Sequence, residues 1–211
     1  MKNFDNSFLS NKIKLIAGTD EAGRGPLAGP VVAAAVVFSH KTHIDGVDDS
    51  KKLSTNEREY LFNIIVENAL AYSVSIISNS RIDKINILQA SLLAMKRSVN
   101  KLKVKPDLIL IDGNKSFTHA IPTITVVKGD SKSFAIASAS IIAKVTRDRV
   151  MKRLSNKYPQ YLWAKNKGYP TREHINAIKL YGPTSLHRKS FLHNILNDDV
   201  HFELTKTSEM K

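Results

Sequence analysis

The sequence predicts a mixed α/β sheet. Its first three strands are antiparallel and its later strands parallel, it is flanked by helices, and a helical extension closes the C-terminus. Three observations predict this. Short stretches rich in β-branched residues come early in the chain, as in an antiparallel meander. Later strands alternate with stretches of helical periodicity, as parallel strands joined by crossovers do. The 211 residues are 42% apolar and 24% charged, an ordinary globular mix that can bury a core.

The elements follow in order. Ile13–Ala17 reads as a strand, followed by a glycine-rich turn and a second strand over Val31–Phe38. His40–Lys52 is polar and loop-like. Ser54-Thr55-Asn56-Glu57 fits a capping box, and Tyr60, Leu61, Ile64 and Ile65 continue it at helical spacing. Ala71–Ile77 alternates as a third strand. A long helix is expected from Ser80 to about Leu102, with Ile82, Ile85, Leu88, Leu92, Met95 and Val99 on one stripe. Asp107–Ile111 and Ile121–Val127 are further strands. A second long helix runs from Ser131 to about Ser155, with Asp130 as its expected N-cap. Asn156–Pro170 is a loop rich in aromatics and lysines, and Thr171–Tyr181 is a helix stopped by Gly182-Pro183. A single domain is expected: a core over about 14–155, a helical part over about 156–196, and a polar tail over 197–211 that frays.

Charge points to a partner. Lys and Arg number 32 against 19 Asp and Glu, a net charge of +13, which favours a polyanion, most often nucleic acid. A membrane is disfavoured, because the longest apolar run is the eight residues Val31–Phe38 against the roughly 18 a span needs. No apolar signal segment is visible at the N-terminus, so a cytoplasmic protein is expected. Cysteine is absent, which excludes thiolate nucleophiles and sulfur-bound metals.

The candidate chemistry is carboxylate. Asp20-Glu21 stands at the end of the first strand. The two would point to opposite faces if the strand continues, and could share a cation if it bends. Asp112 ends an apolar strand, where open α/β sheets place ligands. Asp148 shares a helical stripe with Phe134, Ile141 and Val145 and should face the sheet, where an ionised carboxylate needs a cation or donors. Converging, Asp20, Glu21, Asp112 and Asp148 would make an all-oxygen site for Mg²⁺ or Mn²⁺. Such a site in a basic chain suits metal-assisted phosphodiester hydrolysis. The segment Gly18-Thr19-Asp20-Glu21-Ala22-Gly23-Arg24-Gly25 lacks dinucleotide-fingerprint spacing and leads into a strand, so a nucleotide-binding oxidoreductase is disfavoured.

These residues carry a resemblance. Asp20 to Pro30 (DEAGRGPLAGP), Asp49-Ser50-Lys51-Lys52-Leu53, Ile111-Asp112-Gly113-Asn114, Lys128-Gly129-Asp130-Ser131, Ser138 to Asp148 (SASIIAKVTRD) and Lys167-Gly168-Tyr169-Pro170-Thr171 resemble, in order, the motif series of bacterial ribonuclease HII. The match covers about residues 14–192. Ser138 stands where that series suggests alanine, with no catalytic consequence. The adjacent Asp–Glu pair separates the chain from type 1 ribonucleases H. The ribonuclease HIII branch resembles it too but carries an extra N-terminal domain, and with about 13 residues before the first strand that branch is not the one expected.

The resemblance implies a ribonuclease H-like fold and a metal-dependent endonuclease. Its substrates would be the RNA strand of RNA–DNA hybrids and single ribonucleotides embedded in duplex DNA, cut on the 5′ side to leave 5′-phosphate and 3′-hydroxyl ends, as in ribonucleotide excision repair. It also implies Asp20, Glu21, Asp112 and Asp148 as metal ligands for Mn²⁺ or Mg²⁺. Gly23, Arg24 and Gly25 would lie at the ribonucleotide 2′-hydroxyl, Lys51 at a phosphate and Tyr169 against the next deoxyribose. A monomer is expected. A non-catalytic basic nucleic-acid-binding protein is the alternative.

Overall fold

The computed structural model describes residues 1–193 and 195–196. A short helix, α1 (Lys2–Asn6), precedes strands β1 (Ile16–Ala22) and β2 (Val31–Val37). Helix α2 (Thr55–Asn68), β3 (Ala71–Ile77) and α3 (Asn79–Asn100) follow, then β4 (Leu108–Asp112) and β5 (Thr123–Val126). The chain ends in α4 (Phe134–Lys157), α5 (Trp163–Asn166) and α6 (Arg172–Tyr181). The sheet order is β3-β2-β1-β4-β5. The β1–β2 and β2–β3 pairs are antiparallel, and β1–β4 and β4–β5 are parallel. This is the expected mixed sheet. The frayed tail expected over 197–211 lies outside the described residues.

β2 is apolar throughout because both of its faces are covered. Ala33 and Ala35 join Ile109, Ile111, Ile82, Met95 and Val99 in a core under α3. Ala34 and Val36 face the opposite way, toward Ile65 of α2 and Ile141, Ile142 and Val145 of α4. Gly18 lets α4 approach the sheet, since a Cβ there would stand 2.2 Å from the carbonyl carbon of Ala135. That contact brings Ser140 over β1. A third cluster, with Leu27, Met151, Tyr161, Trp163 and Ile178, packs the C-terminal helices against α4 and the turn after β1.

Three boundaries differ from expectation. β1 continues through Asp20 and Glu21, which pair with Ala34 and Ala33 of β2, so the acidic pair lies within a strand. α3 breaks at Asn86 (φ 62°, ψ 168°), whose Oδ1 accepts from the Gln89 N–H at 3.0 Å and caps the second half of the helix. The new phase buries Ala90, Ala94 and Ser98 beside the expected Met95 and Val99. Ser133, not Asp130, caps α4: its hydroxyl accepts from the Ile136 N–H at 3.2 Å. Asp130 sits one turn earlier, in the 3₁₀ turn Gly129–Ser131, and makes no cap bond. α1 was not expected. Its buried Asp5 accepts from the Ala135 N–H at 2.9 Å, adding a second side-chain acceptor at the α4 N-terminus beside Ser133.

Candidate active site

The strand ends of β1 and β4 open on a cleft of about 280 Å³. Asp20, Glu21, Gly23, Arg24, Gly25, Ser50, Lys51, Asp112, Ser140, Lys144 and Tyr169 line it. Every sequence-predicted site residue except Asp148 is therefore on one cleft wall or its rim. Alternation along β1 sends Asp20 and Glu21 to opposite sides, and Asp112 at the neighbouring strand end is near enough to act electrostatically on both.

Each carboxylate is held. Asp20 is buried; its Oδ1 accepts from the Glu21 N–H at 2.7 Å, and the Ser140 hydroxyl also bonds it. Ser140 is itself 2.9 Å from the Ser50 hydroxyl, which ties the loop before α2 to the site. Burial, then the charges of Glu21 and Asp112, push the Asp20 carboxyl well above the usual carboxylate range. Burial raises Glu21 too, with Arg24, 3.4 Å away, opposing and Asp112 adding to the rise. Asp112 is raised by burial and then by the charge of Asp130.

Asp130 thus belongs to the acidic cluster. It is buried, Lys51 Nζ stands 2.9 Å from its Oδ2, and the preceding Gly129 N–H donates to Asp112 Oδ1 at 2.7 Å. Asp148 does not join the cluster. Its carboxylate accepts from Lys144 Nζ at 2.8 Å, one helical turn back, so the cation its buried stripe position required is a lysine. Lys144, not Asp148, reaches the cleft, and burial lowers its ammonium pKa. Helical phase gave Asp148 the right face at the wrong depth. The preference of Asp for helix starts concealed Asp130, although a carboxylate straight after glycine on a strand-to-helix loop is a signal in its own right.

The donor chemistry fits a hard divalent cation: the acids are all carboxylates, with no thiolate or imidazole among the lining residues. Burial first, and the neighbouring carboxylates after it, raise the proton affinities of Asp20, Glu21 and Asp112. Among the described residues no three His, Cys, Asp or Glu side chains stand so that they could hold an ion by themselves. Water or substrate oxygens would complete the shell.

A mixed sheet with helices on its faces, opening at its strand ends on a carboxylate cleft within a chain of net charge +13, defines a nuclease of the ribonuclease H-like class. The comparisons narrow this. The family model Ribonuclease HII matches residues 17–194, and the chain belongs to that family. It is therefore a ribonuclease H endonuclease. Ribonuclease HII of Caldicellulosiruptor bescii is 50% identical over 193 residues, 92% of this chain and 94% of that protein. Ribonuclease HII of Clostridioides difficile is 52% identical over 193 residues, 92% of this chain and 76% of that one. Among solved structures, ribonuclease H2 from Pyrococcus horikoshii OT3 superposes with a TM-score of 0.72 at 30% identity, over 86% of this chain and 96% of that chain. Membership disfavours the non-catalytic alternative. Among the described residues no helix is long and apolar enough to cross a membrane.

Proposed function

We propose that the chain hydrolyses the RNA strand of RNA–DNA hybrids and cuts 5′ of single ribonucleotides embedded in duplex DNA, leaving 5′-phosphate and 3′-hydroxyl ends. The observation that carries this reading is one cleft holding both the carboxylate cluster and, on its rim, a glycine turn facing an exposed tyrosine. Asp20, Glu21 and Asp112, with Asp130 beside Asp112, would hold Mg²⁺ or Mn²⁺. A cation bound there would supply Lewis-acid activation of water and positive charge for the leaving oxygen.

The chain's own groups do the rest. Lys51 and Lys144 meet substrate phosphates at the cleft wall. The backbone of Gly23-Arg24-Gly25 lies against the ribonucleotide 2′-hydroxyl, which can both donate and accept. A Cβ at Gly25 would stand 3.7 Å from Tyr169 Cε1, so turn and ring border a narrow slot. The Tyr169 ring stacks on the sugar of the following deoxyribonucleotide. Asp148 acts through Lys144, whose ammonium it orients. The enzyme works as a monomer in the cytoplasm, in ribonucleotide excision repair.

A labelled duplex with one embedded ribonucleotide tests this. We expect a single cut on its 5′ side, abolished by EDTA and restored by Mg²⁺ or Mn²⁺. Binding without cleavage in either metal, or cleavage that persists in EDTA, would refute it.

A further inference from the structure

Two adjacent residues after α6, His187 and Arg188, are both buried and lie outside the carboxylate cluster. Their backbone runs beside the turn after β1: Ala28 bridges His187, the Arg188 N–H donates to Leu27 O at 2.8 Å, and the Gly29 N–H donates to Leu186 O at 2.9 Å.

Arg188 grips the turn. Its guanidinium donates to Gly23 O at 2.7 Å, Arg24 O at 2.9 Å, Gly29 O at 3.0 Å and Pro30 O at 3.2 Å. Arg147 on α4 completes the grip through Ala28 O, Pro30 O and Lys167 O, at 2.9 to 3.1 Å. Gly23 (φ +103°) is required, because a Cβ there would stand 2.1 Å from Arg147 Nε. Neither arginine has a carboxylate in ion-pair contact among the described residues. Burial lowers Arg188 to about 9 and Arg147 to about 10, with the charge of Asp83 opposing the fall in the first and that of Asp148 in the second. Apolar side chains in their place would leave the carbonyls of Gly23, Arg24, Ala28, Gly29, Pro30 and Lys167 without these donors, so the two arginines fix the path of the turn.

His187 grips the other side of the slot. Its Nδ1 accepts from the Thr184 N–H at 2.9 Å, so its proton is on Nε2, which faces His174 Nε2 at 3.2 Å. The indole N–H of Trp163, a donor only, points at that same His174 Nε2 at 3.0 Å. His174 Nε2 is therefore unprotonated, with its one lone pair shared between the two N–H groups, and its Nδ1–H donates to Tyr169 O at 2.9 Å. This assigns one tautomer to each ring, both neutral. The relay His187–His174 thus ends on the backbone of Tyr169.

We propose that His187-Arg188 is a positioning pair for ribonucleotide recognition: Arg188 sets the glycine turn, His187 sets Tyr169 through His174, and together they fix the slot between them. The inference rests on the recognition reading given above. It implies that the pair governs preference for a ribonucleotide followed by deoxyribonucleotide over continuous RNA.

Arg188→Lys keeps the charge and loses the fork. His187→Asn keeps an acceptor for Thr184 and loses the reach to His174. For each full-length variant, kcat and KM are measured on a duplex with one ribonucleotide and on a uniform RNA–DNA hybrid, with the Mg²⁺ dependence and the melting midpoint. We expect kcat/KM to fall about a hundredfold on the single-ribonucleotide duplex, as for a misplacement near 1 Å, with a much smaller loss on the hybrid and an unchanged Mg²⁺ dependence. Equal losses on both substrates, or none on the first, overturn the proposal.

Should both variants fail to fold, Trp163, the single tryptophan, reads the relay in Asp112→Asn protein. Its emission is expected to change with the ribonucleotide duplex and not with an all-DNA duplex of the same sequence; the same response to both overturns the proposal. Tyr169→Ala separates the two levels. If it keeps full activity at the single ribonucleotide, the recognition reading itself falls. If it loses activity while both positioning variants keep theirs, only this inference falls.

Discussion

The Gly129 N–H donates to Oδ1 of Asp112 at 2.7 Å, tying the loop that delivers Asp130 to the strand end that carries Asp112. Two acids 18 positions apart in sequence are thereby held in one electrostatic neighbourhood, where the charge of Asp130 adds to the burial that raises Asp112. That strain of like charge is what a divalent cation would relieve, and the first prediction follows from it.

Asp112→Asn should abolish cleavage and raise the melting midpoint of the metal-free protein. The folded-state pKa of Asp112 is raised, so its carboxylate favours folding when protonated and opposes it as pH climbs through the folded value. At neutral pH the amide removes that opposition while keeping an acceptor for Gly129. Calorimetry should show a rise of about 3 °C without metal, and a smaller upshift on adding Mg²⁺ than in wild type. Near wild-type turnover in this variant would end the metal-ligand assignment.

Asp130→Asn and Asp148→Asn should fail differently. The Asp130 variant should need about tenfold more metal for half-maximal rate, because its charge acts on Asp112. The Asp148 variant should lose about tenfold in rate with its metal requirement unchanged, because its carboxylate holds Lys144. Metal titrations of the two rates decide it, and a shifted metal requirement in Asp148→Asn would return that residue to the cluster.

Tyr169→Ala should lose most cleavage at an embedded ribonucleotide, and Tyr169→Phe, which keeps the ring, should lose less. The side chain is 39% exposed, so melting should barely move in either. Wild-type rates in the alanine variant would remove the stacking role.

Duplex binding should weaken steeply with salt, by about a thousandfold between roughly 50 and 200 mM if six or so phosphates are contacted. The motive is the net charge of +13 together with Lys51 and Lys144 in the cleft. A flat salt profile would show that the basic excess lies away from the binding surface.

Acid should loosen the C-terminal part. Burial, then the neighbouring His174, lowers His187 to about 4, and burial lowers His174 as well. The unfolded chain therefore binds more protons between about pH 6.5 and 4, and this contribution to stability is present above pH 6.5 and lost as pH falls through that window. A proton on His174 Nε2 would face the N–H groups of Trp163 and His187. The melting midpoint should drop by about 5 °C more in wild type than in a double His174→Gln, His187→Asn variant over that window. Equal drops would show that the pair does not carry it.

The sequence by itself determined the five strands, the four longer helices, their order and the mixed character of the sheet, but not α1 or α5, because hydrophobic period and turn chemistry act within a few residues. It also singled out Asp20, Glu21 and Asp112 as carboxylates following apolar strand residues, while the parallel pairing of β1 with β4 is what brings them to one cleft. Periodicity could not separate Asp148 from Asp130: a helical stripe reports direction around an axis and says nothing of depth along it. Nor could it reveal that Asn86 breaks α3, where a side-chain cap outweighs helical propensity. Above all it could not foresee Arg188, which reaches carbonyls 158 to 165 positions earlier in the chain. Backbone carbonyls carry no residue identity, so an arginine that binds them leaves no complementary residue to read, and only tertiary packing decides where it goes.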